Sequence, residues 1–224
     1  LAHPYRFPVI GQKKLFGQLQ HADLLSYYQA RYVPNNCALV VVGDIDWDVL
    51  CQTVEAHFGS LAPRPLAPLN WPPEPVQLTF RQESLSGEFQ LCYGSLAFRI
   101  PGLRHAHAPG LDVLSHVLGH GYSSRLWQKL REEKGLVHHI DTSVWNPGDQ
   151  GFLWISYTCD PEKTAAAQEA LWKELGQLNQ APVSQEDLQK CLTQLALSEV
   201  SARKTMGGQA SRLGLTEVTL REPD

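Results

Sequence analysis

The sequence has no apolar run approaching ~18 residues, so nothing in it reads as a membrane span. It has no surplus of positive charge: 19 basic residues stand against 23 acidic ones, a net charge of −4. That balance offers no broad basic field, which argues against nucleic-acid binding. The five cysteines, Cys37, Cys51, Cys92, Cys159 and Cys191, include no Cys-x-x-Cys pair, so neither a zinc knuckle nor a disulfide framework is suggested. No GxSxG, GxxxxGK or GxGxxG spacing occurs, which sets aside a serine nucleophile elbow and the common phosphate cradles. The single methionine is Met206 and the first residue is Leu1, so the chain reads as a segment of a longer protein.

What is present is a globular composition, 43% apolar and 19% charged. Residues 61–76 carry prolines at 63, 65, 68, 72, 73 and 75. Proline fixes φ and removes amide donors, so this stretch is expected to be an extended, semi-rigid linker between two domains. Before it, Asp23 is placed as the cap of a short helix reaching Tyr32. The valine-rich run Cys37–Val42 is expected to be a buried strand, and Asp46 to cap a helix whose apolar face is Trp47, Leu50, Val54 and Phe58. That is too little core to stand alone, so residues 1–60 look like the end of a larger domain.

After the linker, residues 77–98 offer two strand candidates around a turn at Ser84–Gly87. A helix is expected from Pro109 with Leu111, Leu114 and Leu118 on one side. A second, capped by Ser123 or Ser124, is expected to run to Lys134 and end at Gly135. Leu136–Trp145 and Phe152–Cys159 read as a hairpin about Asn146-Pro147-Gly148-Asp149. Two further helices follow: one from Asp160-Pro161-Glu162 burying Ala167, Leu171, Leu175 and Leu178, the other from Ser184 burying Leu188, Leu192, Leu195 and Val200. The fold class is therefore α+β, a largely antiparallel sheet with helices on one face.

Nine histidines direct attention to metal chemistry. His116 and His120 lie four apart, the helical spacing of a metal-ligand pair. The intervening sequence is Val117-Leu118-Gly119, however, and an inverted zinc-protease motif, HxxEH, needs a glutamate where Gly119 stands. The pair therefore reads as polar surface, as do His105 and His107 in the loop after Pro101-Gly102. Arg131, in the last turn of its helix, and His138, early in the next strand, can meet at one edge of the sheet. There they could donate to a carbonyl oxygen of a bound chain, but taken alone the pair reads rather as an ordinary helix-end arginine and a half-buried histidine. Strand parity would put His138 beside Leu136, Ile140 and Val144.

Several segments, read in order, resemble the pitrilysin/insulinase family of inverted zinc peptidases. His3-Pro4-Tyr5, Pro8-Val9-Ile10-Gly11, Tyr32-Val33-Pro34-Asn35-Asn36 and Val41-Val42-Gly43-Asp44 look like the close of that family's first domain. Leu114–Gly119, Ser123-Ser124-Arg125-Leu126 and Leu130–Leu136 look like the heart of its second. The resemblance implies residues 1–60 as the end of the first domain, 61–76 as the linker, and 77–224 as a second, non-catalytic domain that is incomplete at its C-terminus. It implies no catalytic residue and no metal in this segment, with zinc held elsewhere in the complete protein or in a homologous catalytic subunit. The implied partner is a peptide or unfolded polypeptide, and the implied source is bacterial. The alternative is a catalytically dead relative serving as a scaffold or peptide-binding subunit. The family's substrate-binding arginine falls on Arg131, and the position of its tyrosine, seven residues on, is His138.

Overall fold

The structure, a computed structural model, describes residues 3–146, 150–178, 180 and 183–221. It divides into two compact units, Leu1–Ser84 with Met206–Asp224, and Leu85–Thr205.

The first unit carries helices α1 (Lys13–Phe16), α2 (His21–Arg31), α3 (Trp47–Phe58) and a late helix, Met206–Leu220. Helix α2 begins two residues before the expected cap: Gln20 is the N-cap and Asp23 closes a capping box, its carboxylate accepting from the Gln20 amide at 2.9 Å. Asp46 caps α3 as expected, accepting from the Val49 amide at 3.0 Å. The run Cys37–Val42 is not a buried strand; it forms no ladder, and Leu39 and Val41 are exposed. A strand is stabilised by neighbours that take up its amides and carbonyls, and among the described residues of this unit no strand lies beside it. It lies against the late helix instead, where a Cβ on Gly214 would stand 3.4 Å from Val40 Cγ2. Val33 is the one large apolar side chain of the described residues of this unit that is buried. The proline-rich stretch takes no regular structure and is pinned to the end of α2. Asn35 both donates to the Arg64 carbonyl (2.9 Å) and accepts from the Arg64 amide (3.1 Å), and Arg31 donates to the Ala67 carbonyl.

The second unit contains the core. Strands β1 (Cys92–Pro101), β2 (His139–Trp145) and β3 (Gln150–Cys159) form an antiparallel sheet in the order β1-β3-β2. Only one of the two strands expected over residues 77–98 forms; residues 77–91 make no ladder. The turn residues Pro147, Gly148 and Asp149 lie outside the described residues, but Trp145 pairs with Phe152 on either side of them. Helices α4 (Ala108–Gly119), α5 (Thr164–Gln177) and α6 (Gln185–Ala202) form where helices are expected. Leu118, Leu126, Leu130, Ile140, Ile155 and Leu171 are all nearly or wholly buried in one cluster between sheet and helices, so the architecture is α+β with the helices on one face. Helix α6 differs in detail: Cys191 is its buried residue, while Leu192 and Val200 are exposed.

Two local features were not legible beforehand. The segment from Trp127 to Glu133 is a π-helix, a wider turn that is rare and concentrated at functional sites. Ser124 does not cap it by accepting from a helix amide; its hydroxyl donates to the Gly121 carbonyl at 2.7 Å. The π-helix ends as glycine chemistry dictates, with Gly135 at φ +58° and the amides of Gly135 and Leu136 returning to the carbonyls of Arg131 and Leu130. Beneath it Glu174, 4% exposed, is held by Arg125 at 3.5 Å and Lys134 at 3.8 Å, so its charge is paired.

Helix α4 lies unusually close to β2, and the reason is glycine. A Cβ built on Gly119 would stand 2.6 Å from Thr142 Cγ2 and 2.7 Å from the Thr142 amide nitrogen, far inside van der Waals contact. One turn earlier, Ser115 accepts from the Thr142 hydroxyl through its carbonyl, and both residues are 3% exposed. Small residues one turn apart thus let the helix backbone meet the sheet backbone.

Candidate functional site at Arg131 and His138

The π-helix and the turn at Gly135 bring Arg131 back over the start of β2. Its guanidinium is fixed on three sides. Nε donates to the His138 carbonyl at 2.9 Å, Nη1 donates to Glu132 Oε1 at 2.6 Å, and the plane lies over the Trp127 ring, Cζ 4.4 Å from its centroid. Trp127 is 6% exposed and is itself anchored, its indole N–H donating to the same Glu132 oxygen at 2.9 Å. Tyr122 and His139 meet its ring edge-on at 4.9 Å and 5.6 Å. Arg131 therefore keeps one nitrogen, Nη2, without a hydrogen bond among the described residues, on a side chain 41% exposed.

His138 meets Arg131 through its backbone carbonyl, not its ring. The imidazole is half exposed, against the expectation that parity would place it with Ile140 on the apolar face. Val137 and Ile140 are both buried and three apart, so the alternation breaks at His138 and His139 before β2 becomes regular. The ring instead places Nε2 2.7 Å from Asp160 Oδ1, while Lys163 Nζ sits 2.9 Å from Oδ2. A carboxylate can only accept, so Nε2 carries the proton of this bond. The hydrogen bond from Lys163, then that from His138, holds the Asp160 carboxyl below its ordinary range. Replacing Lys163 by methionine should therefore raise the Asp160 titration midpoint toward the ordinary carboxylate value, and by more than replacing His138 does. Carboxyl-carbon NMR across the acid range measures this, and an unmoved midpoint after Lys163→Met would contradict the assigned cause.

The two histidine pairs on and before α4 take no part in these contacts. His116 and His120 do share one helix face, ring centroids 4.6 Å apart, but His116 Nδ1 is 2.9 Å from the Asp112 carbonyl. Among the described residues no group of three or more His, Cys, Asp or Glu is disposed to hold a metal ion, and at Gly119 the packing leaves no space for the glutamate of HxxEH. A zinc ion does not fit the donor set on α4. His105 and His107 are paired with each other in an exposed loop, the His107 amide donating to His105 Nδ1 at 3.2 Å. Sequence reasoning missed Trp127, Glu132 and Asp160, the residues that orient the pair. Only the one-turn spacing of Trp127 and Arg131 hinted at the first of them.

Residues 18–195 match the family described as Peptidase M16 inactive domain, and the chain belongs to that family. It is similar to an uncharacterized zinc protease of Mycobacterium tuberculosis, 34% identical over 166 residues, which make up 73% of this chain and 38% of that protein. Among solved structures it shares the fold of a protease from Helicobacter pylori, with TM-score 0.81 and 22% identity over 97% of this chain and 54% of that one. It also shares the fold of a chain in complex III2 from Candida albicans, with TM-score 0.74 and 16% identity over 96% of this chain and 53% of that one. Against the mycobacterial and Bacillus subtilis zinc proteases it spans between 38% and 52% of their length. Among the described residues no helix is long and apolar enough to cross a membrane.

Proposed function

We propose that this chain is the substrate-holding, non-catalytic part of a zinc metalloendopeptidase that cleaves peptides or unfolded polypeptides, with Arg131 and His138 as donors to the bound chain. On this reading residues 1–60 close a preceding peptidase-like domain, 61–76 link it, and 77–224 belong to the second domain. Zinc is held by the remainder of the same protein or by a homologous catalytic subunit. The observation that carries the reading is the clamped guanidinium of Arg131. Its freedom is already spent on Trp127, Glu132 and the His138 carbonyl, so one charged N–H is presented outward with little ordering left to lose when a peptide carbonyl arrives. His138 contributes differently. With Nε2–H committed to Asp160, the neutral ring offers Nδ1 as an acceptor, and only the imidazolium donates from that nitrogen.

A second reading, a catalytically silent scaffold or peptide-binding subunit, draws on the fold shared with complex III2. The two separate in an assembly that includes the zinc-binding portion, assayed for cleavage of an unfolded polypeptide with and without this chain. Cleavage that falls to background when the chain is omitted supports the proposal. Undiminished cleavage without it, or peptide binding with no cleavage in the complete assembly, overturns it in favour of the scaffold.

A further inference from the structure

Cys92 opens β1 and Cys159 closes β3, and the ladder register sets them directly opposite one another. Both project from the core face: the alternation that buries Tyr157, Ile155 and Leu153 on β3 also buries Cys159, and on β1 it faces Cys92, Leu96 and Phe98 to the same side. Opposite residues of an antiparallel pair have Cα atoms about 4.5 or 5.5 Å apart, and both values lie within the span that a disulfide bridges without backbone movement. Both are free thiols, and they interact with each other. Their environments differ. Cys159 is wholly buried, with Thr164 Oγ1 3.7 Å from its sulfur, whereas Cys92 is partly exposed at the strand's end.

We propose that Cys92 and Cys159 are a redox modification site, a cross-strand dithiol that closes to a reversible disulfide on exchange with a small-molecule or protein disulfide. The asymmetry sets the order of events. Burial pushes the Cys159 thiol up, so it stays protonated while Cys92, reachable from solvent, reacts first. The Cys92 thiolate attacks one sulfur of the incoming disulfide, forming a mixed disulfide and releasing one thiolate. Cys159 then gives up its proton and attacks the Cys92 sulfur, breaking the mixed bond and releasing the second thiolate, which takes the proton. Two cysteine thiols are oxidised and one external disulfide is reduced to two thiols. The product ties the free end of edge strand β1 to the end of β3, one residue before Asp160, which holds His138.

Oxidised glutathione is the probe, applied to the 224-residue chain, followed by alkylation of the remaining thiols, non-reducing digestion and mass spectrometry. Cys37 and Cys51 are exposed, so oxidant is raised until their glutathione adducts show that it has acted. The expected result is a Cys92–Cys159 linked peptide as the main fate of Cys92, removed by dithiothreitol, with thermal unfolding of the oxidised chain several degrees higher. In Cys159→Ala, Cys92 should stop at its glutathione adduct. Alkylated, unlinked Cys92 and Cys159 beside fully modified Cys37 and Cys51 would overturn the proposal, as would linkage of Cys92 to any other cysteine.

Discussion

Gly119→Ala lowers the stability of the 85–205 unit by about 1–3 kcal/mol, the usual cost of forcing atoms into a filled core. The added methyl would stand 2.6 Å from Thr142 Cγ2 and 2.7 Å from a backbone nitrogen of β2, and backbone in the middle of a strand paired to β3 cannot step aside as a flexible side chain can. The helix must lift or rotate, which strains the hydrogen bond between Thr142 and the Ser115 carbonyl. Gly119→Glu is more damaging still, although it completes the letters of HxxEH. It should unfold the unit or displace α4 and should not yield a zinc site, because no third ligand stands nearby among the described residues. Denaturant titration of both variants, with metal analysis after dialysis, checks this. A stably folded Gly119→Glu chain that retains one zinc would refute the packing argument.

The second large effect falls on turnover. In an assembly with peptidase activity, Arg131→Ala lowers kcat by roughly 10²–10³, the usual cost of deleting a donor aimed at a developing oxyanion. The fold should survive, since the guanidinium is 41% exposed and its partners Glu132 and the His138 carbonyl can turn to water. Arg131→Lys should recover little, because a point-charge ammonium cannot lie flat on Trp127 while donating along three directions. His138→Ala should lower activity by less, and His138→Tyr, which supplies a hydroxyl donor, should preserve or raise it. Near-normal kcat for Arg131→Ala, with substrate binding unchanged, would reduce the cluster to a structural helix end.

The sequence alone settled those features whose cause is local. Asp46 and Ser184 cap their helices because a short oxygen-bearing side chain can reach a free amide three residues on. Gly135 closes its helix because φ +58° is costly for any other residue. The alternating apolar residues of β2 and β3 and the periodic leucines of α4 and α5 were enough to call an α+β unit, and the family resemblance rested on motifs readable in order. What failed depended on partners distant in the chain. Cys37–Val42 has the composition of a buried strand but no strand among the described residues to complete its ladder, and the valines alone cannot supply one. The π-helix shifted the geometry of its turn by one residue, and parity broke at His138, so the imidazole turned from the core toward Asp160, a residue 22 positions away. Gly119 could be read as the loss of a base. Only the approach of Thr142 from another element shows that the position is filled by the sheet itself, since steric exclusion between backbones is a property of the packed molecule and not of either segment.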